Sequence, residues 1–409
     1  MATVIYVWAP IEGVYRVAAR LSWDDNEIGR FRYAPDWMAL PSAYPLDPLN
    51  LPFSTAGTVI RENHGIPGVI ADAGPDSWGR SIIVQAGRAV PRNEAEWVLH
   101  PNAVGTGALR FSESADAAPS TTDSYPACTL EQLHELAMTV ATGGTIDPPL
   151  RHLLQHMSSP GGARPKALIR EDRKDYIAKF EKPNDPFNVP RVEAACLQCA
   201  RLCGIDAAAA HVVDIRPTTS ALLVERFDRT SAGGPVHYLS ARSLANIWRV
   251  RAGRDDIPPT GTSTYQALAA YARSIGIEGA GEEVLRRMAF NYLIGNTDDH
   301  LQNIGFLFEN GAWRFAPAFD LLPHTSDIHA IGIGPQGRQR TLGNLTEGAR
   351  MFGVPEGDAQ TIIAEVLDGV GQLDALMTAE RVSSHDREIV RARMSSLLDT
   401  VGGFDLTAP

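Results

Sequence analysis

Residues 291–323, NYLIGNTDDHLQNIGFLFENGAWRFAPAFDLLP, restrict the possible fold more than any other stretch of the chain. Val284, Leu285, Met288, Ala289, Tyr292 and Leu293 recur at helical spacing as one apolar stripe, so a helix runs into this stretch and Gly295 is placed to end it. A loop follows with Asp298, Asp299, His300 and Asn303 inside six positions. Two aromatic runs, 306–308 and 313–315, then flank Asn310-Gly311. That pair favours a two-residue β-hairpin, because both residues tolerate positive φ. The hairpin returns the chain on itself and is expected to carry Asp320 back beside the loop that bears Asp298 and Asn303.

Two carboxylates and a carboxamide brought together suit phosphoryl transfer: one Asp accepts a hydroxyl proton, while the Asn and the second Asp offer the oxygen ligands that Mg²⁺ prefers. Asn303 follows Asp298 by five positions, the offset between base and metal-binding Asn in the protein-kinase catalytic loop. The loop alone is also compatible with helix capping, for which Asn, Thr and Asp are ordinary residues. Asp and His clusters also bind transition metals in hydrolases. The rest of the chain has to discriminate between these readings.

The 409 residues, 44% hydrophobic and 21% charged, are enough for two or three globular domains. A net charge of −11 lacks the basic footprint of a protein that binds nucleic acid by itself. DNA contact is therefore expected only through a partner or a local patch. The opening MATVIYVWAP has no basic signal-peptide region and no apolar run is long enough to span a bilayer; a cytoplasmic protein is expected. Cys196, Cys199 and Cys203 share one helical face and read as core thiols rather than metal ligands.

Residues 2–33 alternate apolar and polar positions and predict a small antiparallel sheet, while 41–52 is proline-rich and irregular. At 74–79, GPDSWG opens a helix with Asp76 as cap and Trp78 as a core anchor. The small, polar run 112–125 reads as a linker, and 130–141 as a short helix. Residues 158–166, SSPGGARPK, expose backbone N–H groups that can approach phosphate oxygens, although turns use glycine too. In the strand 176–180, Lys179 lies opposite the face of Tyr176, Ala178 and Phe180, where kinases place the lysine that holds the α- and β-phosphates. Glu193 opens the next helix and is the candidate to orient that lysine. From His237 onward the pattern turns helical, ending in a helix with Val390, Met394, Leu397 and Leu398 on one face.

In these residues the chain resembles the HipA family, the kinase toxins of bacterial HipA/HipB modules. Asp298, His300 and Asn303 match its Asp-x-His-x-x-Asn loop, and residues 317–320 (PAFD) its Pro-x-x-Asp metal motif. Ser159, Gly162, Ala163 and Lys166 match its Ser-x-x-Gly-Ala-x-x-Lys loop. Residues 74–79 match its Leu-Pro-Asp-x-Trp-Gly turn, with Gly74 in place of Leu.

The resemblance implies an α+β, bilobal protein-kinase-like fold with an extra N-terminal subdomain (1–112), a nucleotide-binding lobe (126–236) and an all-helical catalytic lobe (237–409). It implies an ATP- and Mg²⁺-dependent Ser/Thr protein kinase. Asp298 would act with His300 in catalysis, and Asn303 and Asp320 would hold Mg²⁺. Ser159, Gly161, Gly162, Ala163, Lys166, Lys179 and Glu193 would serve the phosphates, and the backbone around Glu225 and Phe227 would meet adenine. It further implies autophosphorylation of Ser159, a helix-turn-helix HipB-like antitoxin dimer as partner, DNA contact only through that antitoxin, and a protein substrate of the kind of an aminoacyl-tRNA synthetase. Gln302 departs from the Lys or Arg that relatives carry before the Asn. A small-molecule kinase on the same scaffold, and a catalytically weak module acting with an antitoxin in transcriptional autoregulation, stay open as alternatives.

Overall fold

Alternating apolar residues from Val4 to Tyr33 fold as β1 (Thr3–Ile11), β2 (Val14–Asp24) and β3 (Ile28–Tyr33), paired antiparallel in sequence order. Glu12 and Gly13, both at positive φ, turn β1 into β2. Two short strands, β4 (Thr58–Ile60) and β5 (Arg110–Ser112), complete the sheet in the order β4-β3-β2-β1-β5. At three residues each they are too short to show a period of two, so alternation could not reveal them. Ile5, Val7, Leu21, Trp23, Phe31 and Tyr33 bury the inner face.

This computed structural model describes residues 3–401 except 88–89, 102, 117, 120–127, 158–161, 163, 183 and 248–262. Much of the expected 112–125 linker lies outside them. The chain divides into two units: Met1–Lys182 with Glu225–Asp256 and Phe306–Arg314, and Pro183–Val224 with Ile257–Gly305 and Phe315–Pro409.

In the first unit, the helix Ser77–Gln85 begins where expected, because the Asp76 carboxylate accepts from the Gly79 N–H at 2.7 Å. It buries Trp78, Ile82 and Ile83. The helix Leu130–Ala141 starts with a capping box between Thr129 and Gln132. β6 (Lys166–Glu171) and β7 (Lys174–Phe180) form a hairpin whose turn residues, Asp172 and Arg173, both have positive φ. The stretch after His237, expected to be helical, also holds a sheet in which Gly305–Glu309 lies between His237–Ser240 and Ala312–Phe315. The first of these strands is four buried residues without alternation, which is why it is silent in the pattern.

In the second unit, the helix Val189–Leu202 starts earlier than expected. Asn188 caps it by accepting from the Arg191 N–H at 3.1 Å, and Pro190 sits in its first turn. Cys196, Cys199 and Cys203 are buried as core thiols; Cys199 and Cys203 donate to the carbonyls of Gly369 and Val366 at 3.4 Å. Burial pushes the Cys196 thiol up, away from the reactive thiolate. The helix Ala280–Ile294 is buried nearly all round, Arg287 and Asn291 included, so it is a central helix rather than one with a single apolar stripe. Val390 and Met394 of the helix Ser384–Val401 are buried, while the side chains of Leu397 and Leu398 lie outside the described residues. Among the described residues, no helix is long and apolar enough to cross a membrane.

Candidate active site

The central helix Ala280–Ile294 ends at Gly295, in the left-handed region at φ 75°. A Cβ there would lie 3.0 Å from the Arg340 guanidinium and 3.1 Å from the Arg393 carbonyl, so glycine is required on both counts. The chain leaves as the loop 296–304 and returns through the hairpin turn Asn310-Gly311, with φ 55° and 80°, the type I′ geometry that the sequence predicts. Two backbone hydrogen bonds then fasten the returning segment. Ala316 N–H donates to Gly305 O at 2.8 Å and His324 N–H donates to Gly295 O at 2.8 Å. The segment that contains Asp320 is therefore tied to both ends of the loop that contains Asp298 and Asn303. Asp320 itself adopts φ 58°, a conformation uncommon for residues other than glycine and found at functional sites.

Within the loop, the adjacent aspartates take opposite environments. The Asp298 side chain is 55% exposed, and His300 Nε2 lies 3.9 Å from its Oδ1. Asn303 Nδ2 donates to the Asp298 carbonyl at 3.1 Å. A carbonyl can only accept, so the amide nitrogen faces the backbone and Oδ1 is the atom left to accept a hydrogen bond or to ligate. Asp299 is fully buried, accepting from Tyr265 OH at 2.6 Å, from His329 Nδ1 at 2.7 Å and from the Ala330 N–H at 2.8 Å. The same Ala330 N–H reaches the Thr297 carbonyl at 3.0 Å. Asn291 Nδ2 donates to Tyr265 OH at 2.8 Å, and Asn296 Nδ2 to Asn291 Oδ1 at 3.0 Å. Burial, with the Asp299 charge beside it, pushes the Tyr265 phenol well above its usual range, which keeps it a donor. This network holds the backbone on either side of Asp298 while leaving the Asp298 carboxylate accessible.

The oxygen donors of Asn303 and Asp320 fit Mg²⁺, which takes one or two protein ligands and completes its shell with water and phosphates. Among the described residues, no group of three or more His, Cys, Asp and Glu side chains is placed to hold a metal ion.

The first unit carries the other expected site residues. Lys179 lies on the less buried face of β7, with Tyr176, Ala178 and Phe180 buried opposite, as alternation predicts. Glu225 pairs with Lys174 Nζ at 2.8 Å. Phe227, whose ring centroid is 6.2 Å from that of Tyr238, is followed by Asp228, which is fully buried and accepts from Arg226 at 2.7 and 2.9 Å and from the Gly107 N–H at 2.6 Å. Burial alone would raise the Asp228 carboxyl, but the Arg226 and Arg229 guanidiniums hold it well below the usual carboxylate range.

Lys166 departs from its expected place against phosphates. It is 0% exposed, with Nζ 3.0 Å from Asp76 Oδ2 and donating to the Gly162 carbonyl at 2.6 Å. A buried ammonium already held by a carboxylate is an anchor of the fold. Glu193 stands beyond the first turn of its helix, which begins at Val189 rather than at Glu193, and is 1% exposed in the second unit. Ser159, Gly161 and Ala163 lie outside the described residues. Gly162 has φ 87°, a glycine conformation.

The model for the HipA N-terminal domain matches residues 14–112, and that for the HipA-like C-terminal domain matches residues 158–373. The chain belongs to the HipA family. Among solved structures, the Shewanella oneidensis MR-1 toxin–antitoxin complex of HipA, HipB and operator DNA contains a chain similar to this one, with a TM-score of 0.70 at 18% identity, covering 97% of this chain and 96% of that one. This likeness supports a shared HipA fold of mixed helices and sheets. Two curated relatives are "Putative kinase Y4dM" of Sinorhizobium fredii, 30% identical over 163 residues, and "Putative kinase" of Haemophilus influenzae, 25% identical over 184 residues. The matches span 36% and 41% of this HipA-family chain, and 37% and 53% of the relatives' own lengths.

Proposed function

We propose that this HipA-family protein is an ATP- and Mg²⁺-dependent Ser/Thr protein kinase and the toxin of a toxin–antitoxin pair. The observation that carries the reading is the tethering of the Asp320 segment to both ends of the Asp298–Asn303 loop. Relatives named as kinases and a structural neighbour solved with HipB and operator DNA support it. In this reading, Asp298 accepts the proton of the attacking hydroxyl, and Asn303 and Asp320 supply the oxygen ligands for Mg²⁺. Magnesium when bound neutralises phosphate charge. Lys179 and the glycine loop around Gly161 and Gly162 orient the phosphates, and the backbone around Glu225 and Phe227 meets adenine. Gln302, exposed on the loop, supplies no cation, so turnover is expected to fall below that of relatives with Lys or Arg there. Ser159 is the proposed autophosphorylation site. A phosphate there adds about −1.5 to −2 charge and repels the nucleotide.

The test is labelled ATP with Mg²⁺, offered first to candidate proteins such as aminoacyl-tRNA synthetases and then to metabolites. Label on a small molecule alone moves the substrate class to the alternative, and no turnover with either class removes the kinase reading. Asp320→Asn is expected to lower ADP formation by roughly a hundredfold or more and to raise the Mg²⁺ concentration needed for half-maximal rate. A folded variant with an unchanged magnesium requirement would remove Asp320 from the metal site.

The acidic balance of the chain is complementary to a basic DNA reader. Co-expression with a small helix-turn-helix protein encoded beside it is expected to give one co-eluting species in size exclusion, two kinase chains on one two-fold partner. Separate elution at micromolar concentration with every neighbouring product counts against the toxin–antitoxin role.

A further inference from the structure

Two arginines of the second unit carry charge that the described residues leave uncompensated. Arg340 is 9% exposed. Its Nε donates to the Tyr292 carbonyl at the end of the central helix and its Nη1 to the Arg393 carbonyl, each at 3.0 Å. Its Nη2 is buried with no partner among the described residues. A helix end offers only about half an elementary negative charge, so these carbonyls offset part of one cation. Arg393 is half-buried and donates through Nη1 to the Pro323 carbonyl at 2.7 Å. On its own helix, Arg387 and Arg391 pair with Asp374 at 3.8 and 2.6 Å, whereas no carboxylate of the described residues pairs with Arg393 or Arg340. Burial lowers both guanidiniums from their ordinary range, as expected of cations taken from water without a counter-ion.

Both arginines grip one short segment. Arg393 holds Pro323, and the Arg340 N–H donates to the Asp327 carbonyl at 3.0 Å. Between them the His324 N–H donates to Gly295 O at 2.8 Å, where a Cβ on the glycine would meet Arg340 Nη2 at 3.0 Å. Thr325 is the midpoint of this segment. It is exposed, and its hydroxyl makes no hydrogen bond among the described residues. The hydroxyl of Ser326 is engaged, donating to Ile328 O at 3.1 Å and accepting from the Ile328 N–H at 3.0 Å. The Asp327 carboxylate, whose charge reaches Arg340, is exposed, so its repulsion of an anion is screened by water and salt.

We propose that Thr325 is a phosphorylation site and that Arg393 and Arg340 receive its phosphate. The donor is ATP and the enzyme a second copy of this chain, so the inference rests on the kinase reading above. Thr325 Oγ attacks the γ-phosphorus, the bond from that phosphorus to the β-phosphate oxygen breaks, ADP leaves, and the hydroxyl proton passes to Asp298. The product brings about −1.5 to −2 charge, a match for two uncompensated guanidiniums. Their N–H forks suit bidentate bonds to its oxygens. Held by both arginines, the segment 323–327 secures the return of Asp320 beside Gly295, so the modification raises activity, in the opposite sense to a phosphate on Ser159.

Incubation of the full chain with Mg-ATP is expected to place phosphate on Thr325 in the wild type and none in Asp298→Asn, read by peptide mass spectrometry. A wild type that labels other proteins but carries no phosphate on Thr325 would overturn the proposal. The receiving site is tested without any kinase activity by installing phosphothreonine at position 325 during translation. Phosphorus NMR is expected to show the second ionisation of that phosphate about one unit below its ordinary value near 6, a tenfold shift. Arg393→Gln should restore the ordinary value and Arg393→Lys should lie between. The modified chain should melt about 2–6 °C above the unmodified one, a gain lost in Arg393→Gln, and its kcat should be about tenfold higher. An ordinary phosphate titration that Arg393→Gln leaves unchanged in a folded chain would overturn the arginine site. A chain that transfers phosphate to nothing overturns the kinase reading and the second-copy step with it, and the titration of the installed phosphate then decides the arginine site alone.

Discussion

Asp298→Asn is expected to leave a folded protein that no longer transfers phosphate. The side chain is more than half exposed and no buried network depends on its carboxylate, so an isosteric amide should shift the melting temperature by no more than about 2 °C. The chemistry is affected differently. An amide cannot accept the hydroxyl proton, and loss of a general base costs roughly 10²–10⁴ in rate. The kinetic signature is therefore a fall in kcat with KM for ATP held near the wild-type value, because the residue acts on the attacking hydroxyl. Steady-state ADP release with a melt on the same sample reads both. A folded variant turning over at near wild-type rate would remove Asp298 as the base.

The neighbouring residue should respond in the opposite sense. Asp299→Ala removes the common acceptor of Tyr265 OH, His329 Nδ1 and the Ala330 N–H, all within 2.8 Å of its oxygens. Each buried donor left without a partner costs about 1–3 kcal/mol, and breaking a buried hydrogen-bonded charge network about 3–5 kcal/mol in all, since the terms overlap. That is a large share of the roughly 5–15 kcal/mol typical of a folded domain. At roughly 2–4 °C per kcal/mol for a unit of this size, the second unit should melt about 6–20 °C lower. Residual activity should fall as well, because Ala330 fixes both Asp299 Oδ1 and Thr297 O and so frames the backbone that presents Asp298. Calorimetry of the two single variants, Asp298→Asn and Asp299→Ala, separates the two roles. An Asp299→Ala protein as stable as wild type would dismiss the buried network as the support of the loop.

Where local chemistry carries the signal, the chain is legible without coordinates. Asn310-Gly311 announced its hairpin because the turn needs positive φ at both positions; Gly295 announced the end of the central helix for the same reason. Asp76 could be named as a cap from its place before Ser77 and Trp78, and the β1–β3 meander from its alternation. Spacing also singled out Asp298, Asn303 and Asp320, since a five-residue offset and a hairpin return can be read along one dimension.

What the linear pattern could not carry is the partnership of residues far apart in sequence. Nothing in the string says that Asp298 is exposed and Asp299 buried; that difference arises because Tyr265 and His329, 34 and 30 positions away, converge on the second. A low-dielectric interior accepts a carboxylate when several donors meet it, and that convergence is a property of packing. Lys166 shows the same limit. Its place in a glycine-rich motif suggested a phosphate contact, yet Asp76, 90 residues earlier, claims the ammonium. Glu193 moved out of its helix's first turn because Asn188 and Pro190 start that helix sooner than its apolar run does. The sequence by itself determined the turns, the caps and the alternating strands, and it named Asp298, Asn303 and Asp320 as the candidates for chemistry. Only the tertiary structure decided which carboxylates and ammonium groups stay available to a ligand, because that depends on which distant donors and acceptors fill their coordination first.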